Sequence, residues 1–466
     1  MESVKISLEF ADKLIIIAFI GIICWTGLKN IFTVKTFKFF ALGNRNFSTG
    51  ALVATIVATY MSGSGFFIGL SNKYTSGLYD IVRTSSIYLA LIILAFFIVP
   101  RMQDFLGNIS IAEAMSRIYG VGIRYTISLA IIINAVGMIA VQFKAFGKIF
   151  EYFTTISPDM SIVFSALLVT IYSTIGGIKA VVYTDIIQFL TFSIAIIIIG
   201  LIILYAADVS EAKILKLTKH KQFNFKEMFD TQDVSFWQTV NLSCFFLVAN
   251  LINPPTAHRI LMASDLTKIR QAVILSVIVL LVALALTSII PIALFMIDTN
   301  LDANNLVTVI VKKYSIFSGI AGILIVGVIA MSMSTADSWI NTAAVTFAND
   351  LWPSKNPKYQ LFVAKSFSFL IGLIALRIAL IETSLLDIVK KFASFYTGIV
   401  VPVLLLTIFG FRTDKSVILT SMGVGFAFIM LFRVYLPETE PSVIVAIITT
   451  SLILGFHYLI FKEGGF

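Results

Sequence analysis

The chain has 466 residues, of which 58% are hydrophobic and only 13% are charged, and its mean hydropathy is +0.97. Soluble globular proteins have about 45–50% apolar and about 25% charged residues, so this composition predicts an integral membrane protein and excludes nucleic-acid binders and soluble enzymes. The formal net charge of +9 then indicates Lys and Arg beside a lipid bilayer rather than a nucleic-acid surface.

Long apolar runs recur along the chain and predict an all-α polytopic membrane protein with about 13 transmembrane helices of roughly 20 residues each. The continuity of these runs favours helices over the short alternating strands of a β-barrel. An amphipathic segment at residues 109–119 is expected at the membrane interface. The predicted spans are residues 12–29, 50–71, 81–100, 124–146, 159–177, 182–206, 236–253, 272–297, 317–347, 359–380, 391–410, 416–434 and 443–461.

The short loops indicate how the chain is oriented. One side of the predicted membrane carries more Lys and Arg than the other, which predicts an N-terminus outside and a C-terminus in the cytoplasm. The first apolar run has no small-residue cleavage site, so we interpret it as a span and not as a signal peptide. A multi-pass protein of the plasma membrane, most simply a bacterial inner membrane, is therefore expected.

Two spans contain residues that interrupt a helix. The second span contains Ser and Gly at residues 62–65, which permit unwinding, and the seventh contains Asn253, Pro254 and Pro255. Taken singly, the first could be a small-residue packing face and the second a proline kink. Their matched positions instead favour a secondary transporter, in which paired broken helices of two inverted repeats bind substrate and ion.

The positions of the breaks also predict the organisation of the chain. Spans two to six and seven to eleven would form two five-helix units, each beginning with a broken helix, and an odd number of helices gives the second unit inverted topology. The predicted regions are an N-terminal helix with its loop (1–34), a first repeat (35–206), an extracytoplasmic loop (207–235), a second repeat (236–412) and two C-terminal helices (413–466).

The ninth span carries oxygen-bearing residues that suit a hard cation. Residues three and four positions apart share a helix face, so the carbonyl of Met331 and the hydroxyls of Ser334 and Thr335 should converge. Ala58 and Met61 could add carbonyls from the break in the second span. These five oxygens predict a sodium site. The alternative is that both hydroxyls bond back to their own helix.

Two acids lie in or beside apolar spans, Asp185 and Asp337. Acids inside a membrane are costly and are functional candidates by default, so both are candidates for a second cation site or an ion relay. Asp185 could instead cap the sixth span, and Asp337 could be a hydrogen-bonded structural acid. No nucleophile–base pair or histidine-based metal motif is evident, so we expect sodium as the only metal and no enzymatic activity.

Four stretches of the chain carry a family resemblance. Residues 39–45 are similar to a loop before a first core helix, and residues 58–69 to that broken helix. Residues 176–188 match a specific signature, and residues 333–352 are similar to a sodium-binding helix and its end. On these residues the chain resembles the sodium/solute symporter family, which includes sodium/proline, sodium/glucose and sialic acid transporters.

The resemblance implies a leucine-transporter-like 5+5 inverted-repeat core, with one helix before it and two after it. It implies Na+ as the coupling ion, bound by the five oxygens described above. It also matches Asp185 to a family acid linked to cation handling, and Arg259 to an arginine that follows the second broken helix.

The expected function is sodium-coupled symport of a small polar organic solute by alternating access, with an amino acid such as proline favoured. The alternative is a solute sensor built on a symporter core. With no arginine evident inside a span, strongly anionic solutes are disfavoured. Polar and apolar residues at the two breaks are expected to line the solute site: Ser62, Gly63, Ser64, Phe66, Phe246, Asn250, Asn253 and Pro254.

Overall fold

The computed structural model describes residues 8–29, 34–153, 156–315, 317–382, 384–436 and 440–463, and these form helices and short connections without a strand. In a bilayer, a helix satisfies all of its backbone hydrogen bonds internally. The first nine α-helices are α1 (Phe10–Lys29), α2 (Phe37–Leu42), α3 (Thr49–Tyr60), α4 (Gly63–Ser76), α5 (Leu78–Ile93), α6 (Ile111–Tyr119), α7 (Val121–Phe153), α8 (Pro158–Ala207) and α9 (Glu211–Leu217). The others are α10 (Val234–Leu251), α11 (Pro254–Met262), α12 (Leu266–Ile297), α13 (Leu306–Tyr314), α14 (Ile320–Thr346), α15 (Pro357–Ile381), α16 (Leu385–Phe395), α17 (Val401–Ile408), α18 (Lys415–Tyr435) and α19 (Ser442–Glu463).

The number of spans differs from the sequence prediction of 13. Within the described residues, 11 helical segments are long and apolar enough to cross a membrane, or up to 12 if the bent pair α3 and α4 counts as one span. The difference lies in α8, whose 50 residues would extend about 75 Å, more than twice the hydrocarbon thickness of about 30 Å. The sequence predicts two spans in this region, 159–177 and 182–206.

A turn at Gly177 divides α8. Gly177 has φ 58° and ψ −171° inside an otherwise helical stretch, a conformation that only glycine adopts readily. A Cβ atom at this position would lie 3.1 Å from the backbone oxygen of Phe40 in α2. Glycine is therefore required both for the turn and for the close approach of α2.

Helix α14 lies at the centre of the bundle. It packs against α8, α7, α1 and α15, and nearly all of its residues are buried. Its many hydroxyl and amide side chains therefore face protein and not lipid, as polar groups at membrane depth require. By contrast, α10 exposes much of its surface, including Val234 and Trp237.

Two wider helical turns precede prolines. Residues Leu94–Ile98 and Tyr396–Val400 each form a π turn, followed by Pro100 and Pro402. Proline has no backbone N–H to donate to the preceding turn, and a π turn accommodates this loss within a continuous helix.

Candidate functional site

The break between α3 and α4 is the first part of the site. The two helices meet at an angle of 55°, with Met61 and Ser62 between them. The Ser62 hydroxyl accepts a hydrogen bond of 2.9 Å from the backbone N–H of Gly65 and so caps α4. The last carbonyls of α3 have no partners within their own helix, which makes them available to other groups.

These carbonyls face two hydroxyls of α14. The Ser334 Oγ lies 2.9 Å from the carbonyl oxygen of Ala58 and 3.0 Å from that of Met331. The Thr335 Oγ1 lies 3.3 Å from the carbonyl oxygen of Thr59 and 3.2 Å from that of Met331. Three carbonyl and two hydroxyl oxygens thus converge where α3 ends, and the hydroxyls contact both α3 and their own helix.

This oxygen cluster has the chemistry that a sodium ion requires. Its donors are neutral hard oxygens, and the C-terminal end of α3 contributes a partial negative charge. No group of three or more His, Cys, Asp or Glu side chains that could hold a metal occurs in the described part of the chain. The carbonyl oxygen of Thr59 belongs to this cluster together with that of Ala58. Met61, which the sequence predicts as a ligand, lies in the break itself and lines the adjacent cavity.

Gln142 of α7 fixes the start of α4. Its Oε1 accepts a hydrogen bond of 3.2 Å from the backbone N–H of Ser64, and its Nε2 donates one of 2.7 Å to the Ser64 hydroxyl. The side chain therefore satisfies two polar groups that the break leaves without helical partners. Sequence reasoning missed this residue, although a lone glutamine in an apolar span is a detectable signal.

The second break, between α10 and α11, is joined to the first by Tyr60. The Asn253 Oδ1 accepts from the backbone N–H of Thr256 at 2.9 Å and caps α11. The Tyr60 hydroxyl accepts hydrogen bonds from Asn253 Nδ2 at 2.9 Å and from Thr256 Oγ1 at 3.1 Å. Tyr396 donates a hydrogen bond of 2.8 Å to the carbonyl of Ile252, which satisfies the unwound backbone. The two broken helices therefore meet, as the matched breaks in the sequence predicted.

A cavity of about 220 Å³ lies between the two breaks and extends along α4. Thr59 and Thr335 line it, so the oxygen cluster borders this cavity directly. Six residues that the sequence assigned to the solute site also lie on its wall: Ser62, Ser64, Phe66, Phe246, Asn250 and Asn253.

Gly63 and Pro254 were assigned to the same solute site, but the structure places them elsewhere. Pro254 lines a separate cavity of about 20 Å³ with His258 and Tyr396. Gly63 packs against α14, where a Cβ atom would lie only 1.8 Å from the Ser332 Oγ. Neither residue lines the main cavity, and Gly63 is a position of close helix packing.

Gly63→Ala is expected to destabilise the protein by about 1–3 kcal/mol, the usual cost of forcing extra volume into a packed core. The added methyl group must push α4 away from Ser332. The measurement is the thermal unfolding temperature of the purified protein in detergent. Gly50→Ala in α3 is the matched control, because its Cβ would meet nothing within 4 Å. Equal unfolding temperatures for the two variants would contradict the close packing of α4 and α14.

A buried ion pair is connected to the oxygen cluster through the hydroxyls of Ser338 and Thr59. Asp185 and Arg259 are both 0% exposed, with Arg259 Nη2 at 3.7 Å from Asp185 Oδ2. The Thr55 hydroxyl donates to Asp185 and accepts from Arg259. Arg259 also donates a hydrogen bond of 2.6 Å to Ser338, whose hydroxyl is 3.2 Å from that of Thr59. The pair thus ties α3, α8, α11 and α14 together.

This network corrects two sequence expectations. Asp185 does not cap a helix, because it lies within α8 beyond the turn at Gly177 and its carboxylate contacts other helices. The expectation that no arginine lies inside the bundle was wrong, because Arg259 is fully buried. Hydropathy could not show that Arg259 is buried, because this residue follows Pro254 and Pro255 and lies outside the predicted apolar spans.

Asp337 has a different environment. The Tyr172 hydroxyl of α8 donates a hydrogen bond of 2.7 Å to its Oδ2, and the side chain is 0% exposed. This contact is the one expected of a hydrogen-bonded structural acid. A second cation site or relay at Asp185 and Asp337 stays a prediction.

The fold resembles two solved transporters. One is a Na+-coupled sialic acid symporter in a substrate-bound outward-open state, with a TM-score of 0.83, 20% identity and 97% of each chain covered. The other is Mhp1, a nucleobase-cation-symport-1 family transporter in a closed conformation, with a TM-score of 0.60, 13% identity, and 91% of this chain and 93% of that chain covered. At these identities the likeness concerns the fold alone, and it confirms the leucine-transporter-like class.

Curated relatives match a shorter part of the chain. The sodium/sialic acid symporter NanT of Aliivibrio fischeri is 23% identical over 342 residues, 69% of this chain. The sodium/pantothenate symporter of Haemophilus influenzae is 28% identical over 332 residues, 68% of this chain. The alignment spans 66% of the relative's own length in both cases, slightly less than two thirds.

A family model matches most of the chain. The model of the sodium:solute symporter family covers residues 40–425, a range that includes both broken helices, the oxygen cluster and the main cavity. This match confirms the resemblance seen in the sequence, and with it sodium as the coupling ion of the family. The chain belongs to the sodium:solute symporter family.

Proposed function

We propose that the chain is a sodium-coupled symporter that carries a small polar organic solute across a lipid bilayer by alternating access. The observation that carries this proposal is the shared wall between the oxygen cluster and the cavity. Thr59 and Thr335 belong to both. An ion in the cluster would therefore hold α3 and α14 together beside a solute in the cavity, which is how ion and solute binding become coupled.

Sodium supplies enough energy for concentrative uptake. Moving one positive charge inward across 100 mV releases about 2.3 kcal/mol, which corresponds to roughly a 50-fold concentration ratio. A sodium concentration gradient adds to this ratio. One ion per solute is therefore sufficient for accumulation of a neutral solute, whereas a monovalent anion needs a second sodium ion to gain the same drive from the membrane potential.

The chemical class of the solute is a separate part of the proposal. The sequence favoured an amino acid such as proline, and no finding supports proline in particular. The named solutes of the two curated relatives, sialic acid and pantothenate, are both organic acids. We therefore place organic acids before amino acids among the candidates.

The arrangement in the membrane is likewise proposed. The two broken helices open two five-helix units, α3 to α8 and α10 to α17, which we interpret as inverted repeats. The plasma membrane location and the outward N-terminus rest on the apolar spans and on the distribution of Lys and Arg in the sequence.

Uptake into proteoliposomes tests the proposal. Purified protein would be reconstituted and given a panel of labelled organic acids, amino acids and sugars under an inward sodium gradient or an equal potassium gradient. We expect accumulation of at least one solute with sodium only. Equal uptake with both ions would contradict sodium coupling. Solute binding without any flux would favour the sensor.

A further inference from the structure

Two charged side chains line the main cavity, Lys73 and Asp80, and they are the only charged residues on its described wall. Lys73 lies in the last turn of α4 and Asp80 in the first turn of α5. Both are buried, with exposed fractions of 3% and 4%. Burying charges is costly unless each is well compensated, so the partners of each group indicate what the cavity can bind.

The two charges are compensated unequally. The Asp80 carboxylate accepts hydrogen bonds from Asn72 Nδ2 at 3.2 Å and from Thr84 Oγ1 at 3.4 Å, and it lies at the favourable N-terminal end of α5. The Lys73 ammonium lies 3.5 Å from Asp80 Oδ2, beyond the 2.7–2.9 Å of a charge-assisted hydrogen bond. An ammonium has three donors, so Lys73 can still bind an anion.

The path of the Lys73 side chain supports this role. A Cβ atom at Gly69, one turn earlier in α4, would lie 3.0 Å from the Lys73 Nζ. The ammonium is therefore folded back along α4, and Gly69, which also lines the cavity, leaves room for it. This direction leads from the last turn of α4 towards the break, where Ser62 and Ser64 lie.

Two residues that line the cavity each have a buried polar atom without a hydrogen-bond partner among the described residues. The atoms are the Asn134 Oδ1 of α7 and the Thr397 Oγ1, and the two residues are only 4% and 1% exposed. A buried polar group without a partner destabilises the folded protein, because it has lost its hydrogen bonds to water. A solute that carries hydroxyl or amide donors would remove this cost.

We propose that the solute is an organic anion, whose carboxylate binds Lys73 and whose hydroxyl or amide groups bind Asn134 and Thr397. Phe66 and Phe246 supply apolar walls for its carbon skeleton. The inference deepens the proposed transport function and rests on it for the direction of movement. It concerns binding, however, and can be tested without flux.

Equilibrium binding to the purified protein at constant sodium tests the inference. The probes are pantothenate and sialic acid, the neutral primary amide of each, and proline. We expect at least one acid to bind the wild type, and its neutral amide to bind about tenfold more weakly, because a buried charged hydrogen bond is lost. Binding of the amides or proline in preference to both acids would overturn the inference, and so would no binding of either acid.

Substitutions test whether Lys73 causes the difference in affinity between each acid and its amide. Lys73→Gln is expected to weaken acid binding about tenfold and to leave binding of the amide unchanged, while Lys73→Arg retains most of the affinity because it keeps the charge. Asp80→Asn should strengthen acid binding, since it removes the competing carboxylate, and this variant keeps the test valid if Lys73→Gln does not fold. Lys312→Gln in α13, outside the cavity wall, is the matched control.

Two results would overturn the assignment. One is acid binding that is unchanged in Lys73→Gln. The other is loss of binding in Asp80→Asn alone, which would mean that the solute presents a cation to Asp80. Failure of these binding tests together with intact sodium-driven uptake would refute the organic-anion inference and leave the proposed symport standing.

Discussion

Replacement of Asp185 by Asn is expected to destabilise the folded protein by about 3–5 kcal/mol, the cost of leaving one partner of a buried ion pair uncompensated. Arg259 would keep its hydrogen bonds to Thr55 and Ser338 but would lose the only carboxylate within 4 Å among the described residues. Because these contacts join four helices, the loss should appear as a lower unfolding temperature and a smaller folded fraction extracted from membranes.

A double substitution and a surface pair provide the controls. Asp185→Leu with Arg259→Met should recover most of the lost stability, because apolar side chains of similar size can replace a buried pair. Glu382→Gln breaks the pair with Lys391, whose Nζ is 2.8 Å from the Glu382 carboxylate and whose side chain is 43% exposed. That change should cost at most about 1 kcal/mol. An Asp185→Asn variant as stable as Glu382→Gln would contradict the structural role of the pair.

Simultaneous replacement of Ser334 and Thr335 by Ala is expected to reduce sodium-driven uptake by at least about tenfold at low sodium. The change removes two of the five oxygens and leaves the terminal carbonyls of α3 without the hydroxyls that face them. The measurement is the initial uptake rate in proteoliposomes as a function of sodium concentration. The half-saturating sodium concentration should rise, because the ion loses ligands that it keeps in the wild type.

Two further variants separate ion binding from helix stability. Thr335→Ser retains a hydroxyl and should retain most of the sodium response. Thr342→Ala removes a hydroxyl of the same helix whose hydrogen bond, within the described part of the chain, goes to its own turn, 2.8 Å from the Ser338 carbonyl, and should leave the sodium response unchanged. If the double variant kept the wild-type sodium dependence, the oxygen cluster would not be the coupling site.

Much of the fold could be predicted from local backbone rules. Glycine, serine and proline at residues 62–65 and 253–255 weaken a helix wherever they occur, so both breaks are visible in the sequence. The spacing of Met331, Ser334 and Thr335 places their oxygens on one face of any helix. These features need no knowledge of which helices pack together.

The missed residues depend on packing across the bundle. Gln142 and Tyr60 contact partners that are distant in sequence, and Lys73 meets Asp80 only across the turn at Gly77 between α4 and α5. Arg259 lies outside the predicted apolar spans, and the sequence left both a helix cap and a cation role open for Asp185, because hydropathy does not show which polar groups face each other inside the bundle. Gly63 and Pro254 lie beside cavity-lining residues in sequence, yet neither lines the main cavity.

Binding of radioactive sodium to the purified protein tests the central claim most directly, because it requires no knowledge of the solute. The oxygen cluster at the end of α3 predicts saturable sodium binding to the wild type that excess potassium does not displace. It also predicts binding weakened by at least about tenfold in the Ser334→Ala and Thr335→Ala double variant. Sodium binding of equal affinity in both proteins would contradict the assignment of this cluster as the sodium site.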